Sequence, residues 1–399
     1  MPSGEDPAVP GRHGQFADQG LAAGVDAVIV VGGRASGNTR RLYEIACRSG
    51  KPAFHVESEA DLNGIDLRPL LTARTIGISA GASTPNWVIR KVIVGLETRL
   101  FRQRSPLHRA VHTLMHTALL TNLVVAVAAG GLCYAAAQLQ AVGPRLPFVL
   151  MAFLYVQSMH IFNHLTGSRA DRYNDPDRAK FYERHRTALT AAALVCGAVG
   201  LLIAFSQGLL PFMVLLVMSL TGLSYNLYLI PKCFAGLRFR RIRDIPGSKT
   251  VLIALAWAVA TAALPALSQA AVLSSWTHAA VFLWTAGLVF VRTAFFDILD
   301  RQGDRLVGKE TIAILLGEKK SLRLLKQLLI VLIAGLPLTA AFGLAPGLAV
   351  ALAACPACML AIILAYERGT ILPGLRLEFW VESHLLLGGV LALVWAWLR

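Results

Sequence analysis

Apolar positions fall into two regimes along the chain. Between about residues 25 and 100 they come in short bursts. The run Ala27-Val28-Ile29-Val30-Val31 predicts a buried strand, and the spacing of Leu42, Ile45 and Ala46 after a Gly-rich turn predicts a helix. A second run, Thr75 to Ser79, leads through Ala80-Gly81-Ala82-Ser83 into another helical pattern. Two repeats of strand, small-residue turn and helix predict a small soluble α/β domain over residues 25–103, behind a disordered N-terminus, residues 1–24.

Beyond about position 111 the apolar runs become long enough to cross the ~30 Å hydrocarbon core of a bilayer. About nine such segments occur, at approximately 111–139, 146–164, 187–206, 209–231, 249–268, 278–297, 324–343, 346–366 and 380–398. Residues 105–399 are therefore expected to form an all-α polytopic membrane helix bundle of about nine transmembrane helices. The connecting loops alternate in charge. One set carries Arg169, Arg172, Arg178, Lys180, Arg184 and Arg186, then Lys232, Arg238, Arg240, Arg241 and Arg243, then Arg301, Arg305, Lys309, Lys319 and Lys320. The opposite set is short and holds little beyond Arg145. The positive-inside rule places the basic loops and the N-terminus in the cytoplasm and the C-terminus outside, in the cell inner membrane. No cleavable signal is visible in Met1 to Gly20.

Composition agrees with that division. Hydrophobic residues make up 55% of the 399 and charged residues only 15%. The net charge of +15 would suggest a nucleic-acid partner in a soluble protein, but here the cations flank apolar runs, and no nucleic-acid binding is expected. The six cysteines form no disulfide framework, and the C-x-x-C of Cys355 and Cys358 falls within a predicted span, where small residues at a packed interface are the plainer reading.

Two of the basic loops also hold most of the acidic residues of the membrane region, which topology alone does not require. Carboxylates at membrane helix ends point to function. In the first loop Asn163, Gly167 and Asp171 recur every four residues, and Asn174, Asp175, Pro176, Asp177 and Arg178 follow. In the second, Asp297, Asp300 and Asp304 lie at i, i+3 and i+7 on one helical face. Such oxygen-rich helix ends suit Mg²⁺, which takes one or two carboxylates and completes its shell with water and phosphate oxygens. The flanking Arg and Lys suit a diphosphate leaving group.

These motifs resemble those of the UbiA-type intramembrane prenyltransferases over about residues 105–399. That family's second motif, D-x-x-D-x-x-x-D followed by x-x-x-G-K-x-T, is matched by Asp297, Asp300, Asp304, Gly308, Lys309 and Thr311. Its first, N-D-x-x-D-x-x-x-D followed by x-x-N-x-P-x-R, is matched at Asn163, Asp171, Asn174, Pro176 and Arg178, with His164 and Gly167 where the family carries Asp. Tyr225-Asn226, Arg238 to Arg243, and Lys249 ahead of Trp257 also look like the family's loop after the fourth span. The resemblance implies Mg²⁺-dependent transfer of a prenyl group from an isoprenoid diphosphate to a hydrophobic acceptor. Asn163, Asp171, Asp297, Asp300 and Asp304 would hold the metal. Arg178, Arg301, Lys309 and Asn174 would grip the diphosphate, and Asp171, Asp300, Asp304, Lys249 and Tyr225 would carry the catalysis. Two alternatives remain: a related terpene cyclase or diphosphate hydrolase, and a non-catalytic lipid carrier or transporter.

The segments Val30 to Leu42 and Ile78 to Pro85 are similar to the C-terminal third of the hydroxymethylbutenyl diphosphate reductases (LytB type). By that resemblance Ser36, Asn38 and Ser83 form a candidate anion site, and hydroxyl and amide groups at helix starts suit anions in any case. The reductases hold an iron–sulfur cluster through cysteines spread over a much longer chain. Before position 110 this chain has only Cys47, so no iron–sulfur cluster and no reductase activity are expected. The domain reads either as a diphosphate-binding docking module or as a truncated remnant, and the shortness of its motifs favours the remnant.

Overall fold

A computed structural model of the chain describes residues 24–81, 83–103, 105–143, 146–166, 174–225, 247–267 and 276–399. These divide into two compact units, one running to His116 with Leu364–Glu378 added, the other comprising Thr117–Ile363 and Phe379–Arg399. The stretch expected to be a disordered N-terminus lies, up to residue 23, outside the described residues.

In the first unit β1 (Ala27–Val31) is the centre of a parallel sheet of order β2-β1-β3. Its neighbours are β2 (Ala53–Val56) and β3 (Ile76–Ala80), with Ile29 opposite Phe54 and Ile78. Every residue of β1 is buried, as its unbroken apolar run requires of a central parallel strand covered on both faces. On one face α1 (Gly37–Arg48) lays Leu42 and Ala46 against Val28 and Val30. On the other, α2 (Arg68–Thr72) supplies Leu70, and α3 (Asn86–Arg102) sets Val92 and Leu96 against Ala27, Ile29 and Val31. Late in α3 the Glu97 carboxylate accepts hydrogen bonds from the backbone N–H groups of Leu375 and Arg376. Burial pushes this carboxyl up to about 7, against the opposing pull of Arg376.

The other helices are α4 (Pro106–Leu120), α5 (Leu123–Leu139), α6 (Leu146–Leu165), α7 (Pro176–Arg184), α8 (Arg186–Ser206) and α9 (Leu209–Ser224). They continue with α10 (Ser248–Leu267), α11 (Trp276–Leu299), α12 (Arg301–Leu306), α13 (Ile312–Leu316), α14 (Glu318–Ala341), α15 (Leu348–Glu367) and α16 (Leu375–Trp397). Seven of these are long and apolar enough to cross a membrane: α6, α8, α10, α11, α14, α15 and α16. The pair α4 and α5 makes an eighth if counted as one span, and α9 is a shorter apolar helix. Among the described residues each falls on one of the nine expected segments, but only seven, or eight with the bent pair, are long enough to span, because α9, on the segment 209–231, is a shorter helix.

The first of them differs from expectation. The run 111–139 is bent by 74° between α4 and α5. The bend falls at Asn122, which adopts the left-handed conformation (φ 60°). A side chain satisfies one backbone group at the break, Gln157 Nε2 donating to the Thr121 carbonyl at 2.8 Å, and the Asn122 side chain is anchored by donating from Nδ2 to the Tyr182 hydroxyl at 2.7 Å. Within hydrocarbon, freed backbone groups need such internal partners. Deeper in the bundle α5 and α16 touch through glycine, since a Cβ on Gly389 would fall 2.6 Å from the Gly131 Cα. Small residues at such crossings replace the hydrophobic drive that lipid does not supply. Leu194, Leu202 and Val217, on α8 and α9, stay exposed, as lipid-facing positions do.

Two outcomes follow from these contacts. The Asn122→Ala protein loses a buried hydrogen bond and places a Cβ-bearing residue without a side-chain amide in the left-handed region, a cost of about 2–3 kcal/mol, read as a lower denaturation midpoint in detergent. Glu97 has a folded pKa above its unfolded value, so its contribution is fully present below about pH 4.5 and is lost as pH rises through about 7. Melting curves between pH 5 and 8 fall with pH for the native chain, and Glu97→Gln flattens that dependence.

Candidate active site

The second acidic loop is a continuation of α11. Backbone bonds from Asp300 N–H to Phe296 O (2.9 Å) and from Asp304 N–H to Asp300 O (3.0 Å) carry the helical path from α11 into α12. Asp297 and Asp304 are buried, and Asp300 between them is half-buried. Asp297 Oδ2 accepts a 2.6 Å hydrogen bond from Thr250 Oγ1, at the start of α10. Its charged neighbours are Lys249, Asp304 and Lys309. Gly308, in the left-handed region (φ 71°), turns the chain back so that the Lys309 N–H reaches the Asp304 carbonyl at 3.0 Å. The Lys309 ammonium then lies 3.2 Å from Asp304 Oδ1. Thr311 caps α13, its hydroxyl accepting from the Ile314 N–H at 3.4 Å. Asp297, Asp304, Gly308, Lys309 and Thr311 of the second motif thus each have a local structural task.

The first loop meets the second at one point. Asn174 Nδ2 donates to Asp304 Oδ1 at 3.1 Å across 130 residues of sequence. The approach is close enough that a Cβ on Gly303 would fall 1.8 Å from Asn174 Oδ1, so this position admits only glycine without rearrangement. Asp175 caps α7 by accepting from the Arg178 N–H at 3.1 Å, with Pro176 as the first helical residue, and its carboxylate lies 3.5 Å from Arg178 Nε. Gly167 and Asp171 lie outside the described residues, as do Asn226 and Arg238 to Arg243.

Asn163, Tyr225 and Lys249 are brought together around one cavity of ≈ 300 Å³ between α6, α9 and α10. Its walls are mostly apolar, with Val156, Met218, Leu252 and Ile253 among them. The Tyr225 hydroxyl is 3.3 Å from Ser248 Oγ, joining the end of α9 to the start of α10. Arg301 is instead paired with the buried Glu318, 3.3 Å away, and so ties α12 to α14.

Three participants were not singled out from sequence. Thr250 is the hydroxyl partner of Asp297. His160, one helical turn before Asn163, lines the cavity with its ring edge-on to Trp257 at 6.1 Å. Arg292 makes a bidentate pair with Glu382 at 2.7 and 2.5 Å. The signal for this last pair was present: each is a charge inside a predicted span, and such charges need a partner.

In the first unit Ser36 caps α1, accepting from the Thr39 N–H at 3.4 Å, while Asn38 and Ser83 are exposed. The two small-residue turns share the carboxyl edge of the sheet, where the Thr84 hydroxyl and the Gly81 N–H both donate to the Val31 carbonyl. The Thr39 hydroxyl is buried between Gly32 and Gly81.

Among the described residues no three His, Cys, Asp or Glu side chains converge as a ready metal cage. The donors present are oxygens: the carboxylates of Asp297, Asp300 and Asp304 and the amide of Asn163. That chemistry fits Mg²⁺, which binds through one or two carboxylates together with substrate phosphate.

A bundle of long apolar helices that seats acidic loops at its helix ends, with an apolar cavity beside lysine and asparagine, defines an integral membrane protein. Residues 123–397 match the UbiA prenyltransferase family, and the chain belongs to that family. Among solved structures it is similar to a UbiA homologue from Aeropyrum pernix K1, at 18% identity over 67% of this chain and 97% of that one, with a TM-score of 0.49. It is also similar to a structure of digeranylgeranylglyceryl phosphate synthase, at 15% identity over 71% of this chain and 96% of that one, with a TM-score of 0.43. Residues 12–97 match the LytB protein family. There the 4-hydroxy-3-methylbut-2-enyl diphosphate reductase of Anaeromyxobacter sp. (strain K) is 51% identical over 77 residues, 19% of this chain and 26% of that protein. The chain spans about a quarter of the length of the curated relatives it matches.

The Asn174–Asp304 contact makes Gly303 a sensitive probe of the junction. Gly303→Ala displaces Asn174 and lowers prenyl-transfer turnover by ~10-fold or more, as small misplacements of positioning groups do, while the melting temperature in detergent changes little.

Proposed function

We propose that this chain transfers the prenyl group of an isoprenoid diphosphate to a lipid-soluble acceptor within the cell inner membrane, with Mg²⁺ as cofactor and with the site and N-terminus on the cytoplasmic side. The observation that carries the reading is the hydrogen bond from Asn174 to Asp304, which joins the two acidic loops. Asn163, Asp171, Asp297, Asp300 and Asp304 are the residues that would hold Mg²⁺. When bound, the ion supplies positive charge to the diphosphate as its allylic C–O bond weakens.

The remaining chemistry belongs to the side chains. Lys249 and Asn163, at the cavity, and Lys309, beside Asp304, present donors to a diphosphate whose prenyl chain lies along Val156, Leu252 and Ile253. Arg178 and Asn174 extend the same set from the first loop. As the C–O bond breaks, negative charge collects on the leaving oxygens, and fixed cations in a poorly solvated site stabilise it more than they stabilise the ground state. Tyr225, bridged to Ser248, holds α9 and α10 together at the cavity. Arg301, paired with Glu318, orients α12.

The first unit is best read as a retained piece of a reductase fold. It spans about a quarter of its curated relatives, and Cys47 is exposed on α1. Its carboxyl-edge turns with Ser36, Asn38 and Ser83 form the candidate anion site.

The decisive assay supplies purified full-length protein with geranyl, farnesyl and geranylgeranyl diphosphates, Mg²⁺ and a membrane lipid extract, and identifies products by mass. Transfer products appear with the native chain, fall by ~1,000-fold in Asp300→Ala, and vanish on chelation. Consumption of the diphosphate with no acceptor present points instead to a cyclase or hydrolase, and unchanged diphosphate under every condition to a carrier.

A further inference from the structure

Prenyl transfer has a proton to dispose of. When the allylic C–O bond breaks, diphosphate leaves with the bonding pair. The acceptor's electron pair then forms the new bond to the allylic carbon, and the acceptor must give up one proton to return to neutrality. A poorly solvated cavity offers no bulk water to take it, so a side chain beside the new bond has to serve.

We infer that His160 is this proton acceptor, the general base that takes the acceptor's proton on an imidazole nitrogen. The inference rests on the prenyl-transfer reading above. Among the described residues, the titratable side chains that line the cavity are Tyr155, His160, Tyr225 and Lys249. No carboxylate is among them. The two phenols are weak bases at neutral pH, Tyr155 is buried, and Tyr225 is engaged with Ser248. Lys249 is a cationic neighbour of Asp297. A neutral imidazole is the one group of the four that presents an unprotonated ring nitrogen with an available lone pair.

Position agrees with chemistry. His160 precedes Asn163 by three residues on α6, which sets it ~4.5 Å further along the helix axis on the same face. If Asn163 and Lys249 mark the diphosphate end, the allylic carbon lies on the apolar side of it, level with His160 and Trp257. Trp257 braces the imidazole edge-on at 6.1 Å and an interplanar angle of 81°. Arg292, held by Glu382, lies over the Trp257 ring at 6.0 Å from its centre. The charged groups around His160 are Lys249 from α10, Arg178 from α7 and Arg292 from α11, with His164 on its own helix. The three cations are not bases at neutral pH, and His164 does not line the cavity.

The test uses the full-length chain in the transfer assay, comparing the native protein with His160→Ala and His160→Gln. Removing the base lowers kcat for transfer by ~100-fold or more, and KM for the prenyl diphosphate stays unchanged. Added imidazole restores a measurable part of the rate to His160→Ala, whose cavity has room for it, and none to His160→Gln. A structural role would not respond to imidazole. Transfer by His160→Ala at the native rate overturns the inference while leaving the prenyl-transfer reading intact. So does a slow variant that imidazole does not help and that has lost its affinity for the diphosphate. Absence of transfer product from the native chain overturns the underlying reading itself, and the two failures are told apart by the native control.

Discussion

The hydrogen bond between Asn174 and Asp304 is the constraint on which the candidate site depends. Two loops that carry acidic residues would repel one another if they met carboxylate to carboxylate. Here the first loop presents a neutral amide to the second, and Lys309 approaches the same oxygen, so Asp304 is stabilised in place. The absence of a side chain at Gly303 is what lets Asn174 come near enough. A local property of one residue thus fixes the distance between segments far apart in sequence.

The same economy governs charge throughout the bundle. Asp297 is buried at the end of a membrane helix, where an ionised group without partners would be costly. Thr250 donates to it, and Lys249 and Lys309 lie nearby, so that one acidic face is balanced by cations from two other segments. Arg292 and Glu382 answer each other in a planar two-point contact that suits a guanidinium. Residues that look like isolated liabilities along the sequence become pairs once the helices cross.

Much of the architecture was legible because its signals are long or periodic. The apolar runs mark α6, α8, α10, α11, α14, α15 and α16, and the β-branched burst Ala27 to Val31 marks the buried central strand. What stayed hidden depends on contacts between distant segments. Nothing around Thr121 and Asn122 breaks the apolar pattern with proline or glycine, yet the helix bends there, where Gln157 donates to the Thr121 carbonyl and Tyr182 accepts from the Asn122 side chain. Within α10 the turn Val259–Ala263 is a π-helix, and Gln140 caps the loosened carbonyl of Ala262 at 3.1 Å. The second acidic motif was legible as one helical path, while Asp171 of the first lies outside the described residues. The partners that hold them, Thr250 above all, carry no signature of their own, since a threonine at a helix start is as often a cap.

The departure of the first motif from the family pattern also acquires a physical meaning at one of its two positions. His164 occupies a place where the family carries an aspartate, and its ring lies 5.1 Å from that of Tyr182. Tyr182 is the residue that receives the Asn122 amide at the bend between α4 and α5. Asn163, one position earlier, lines the cavity, while His164 does not. Adjacent residues on a helix point about 100° apart, so an exchange at 164 alters the packing behind the helix without removing an oxygen donor from the cavity face. The imidazole therefore belongs to the structural cluster at the bend, and Asn163 is the residue of this pair that faces the cavity.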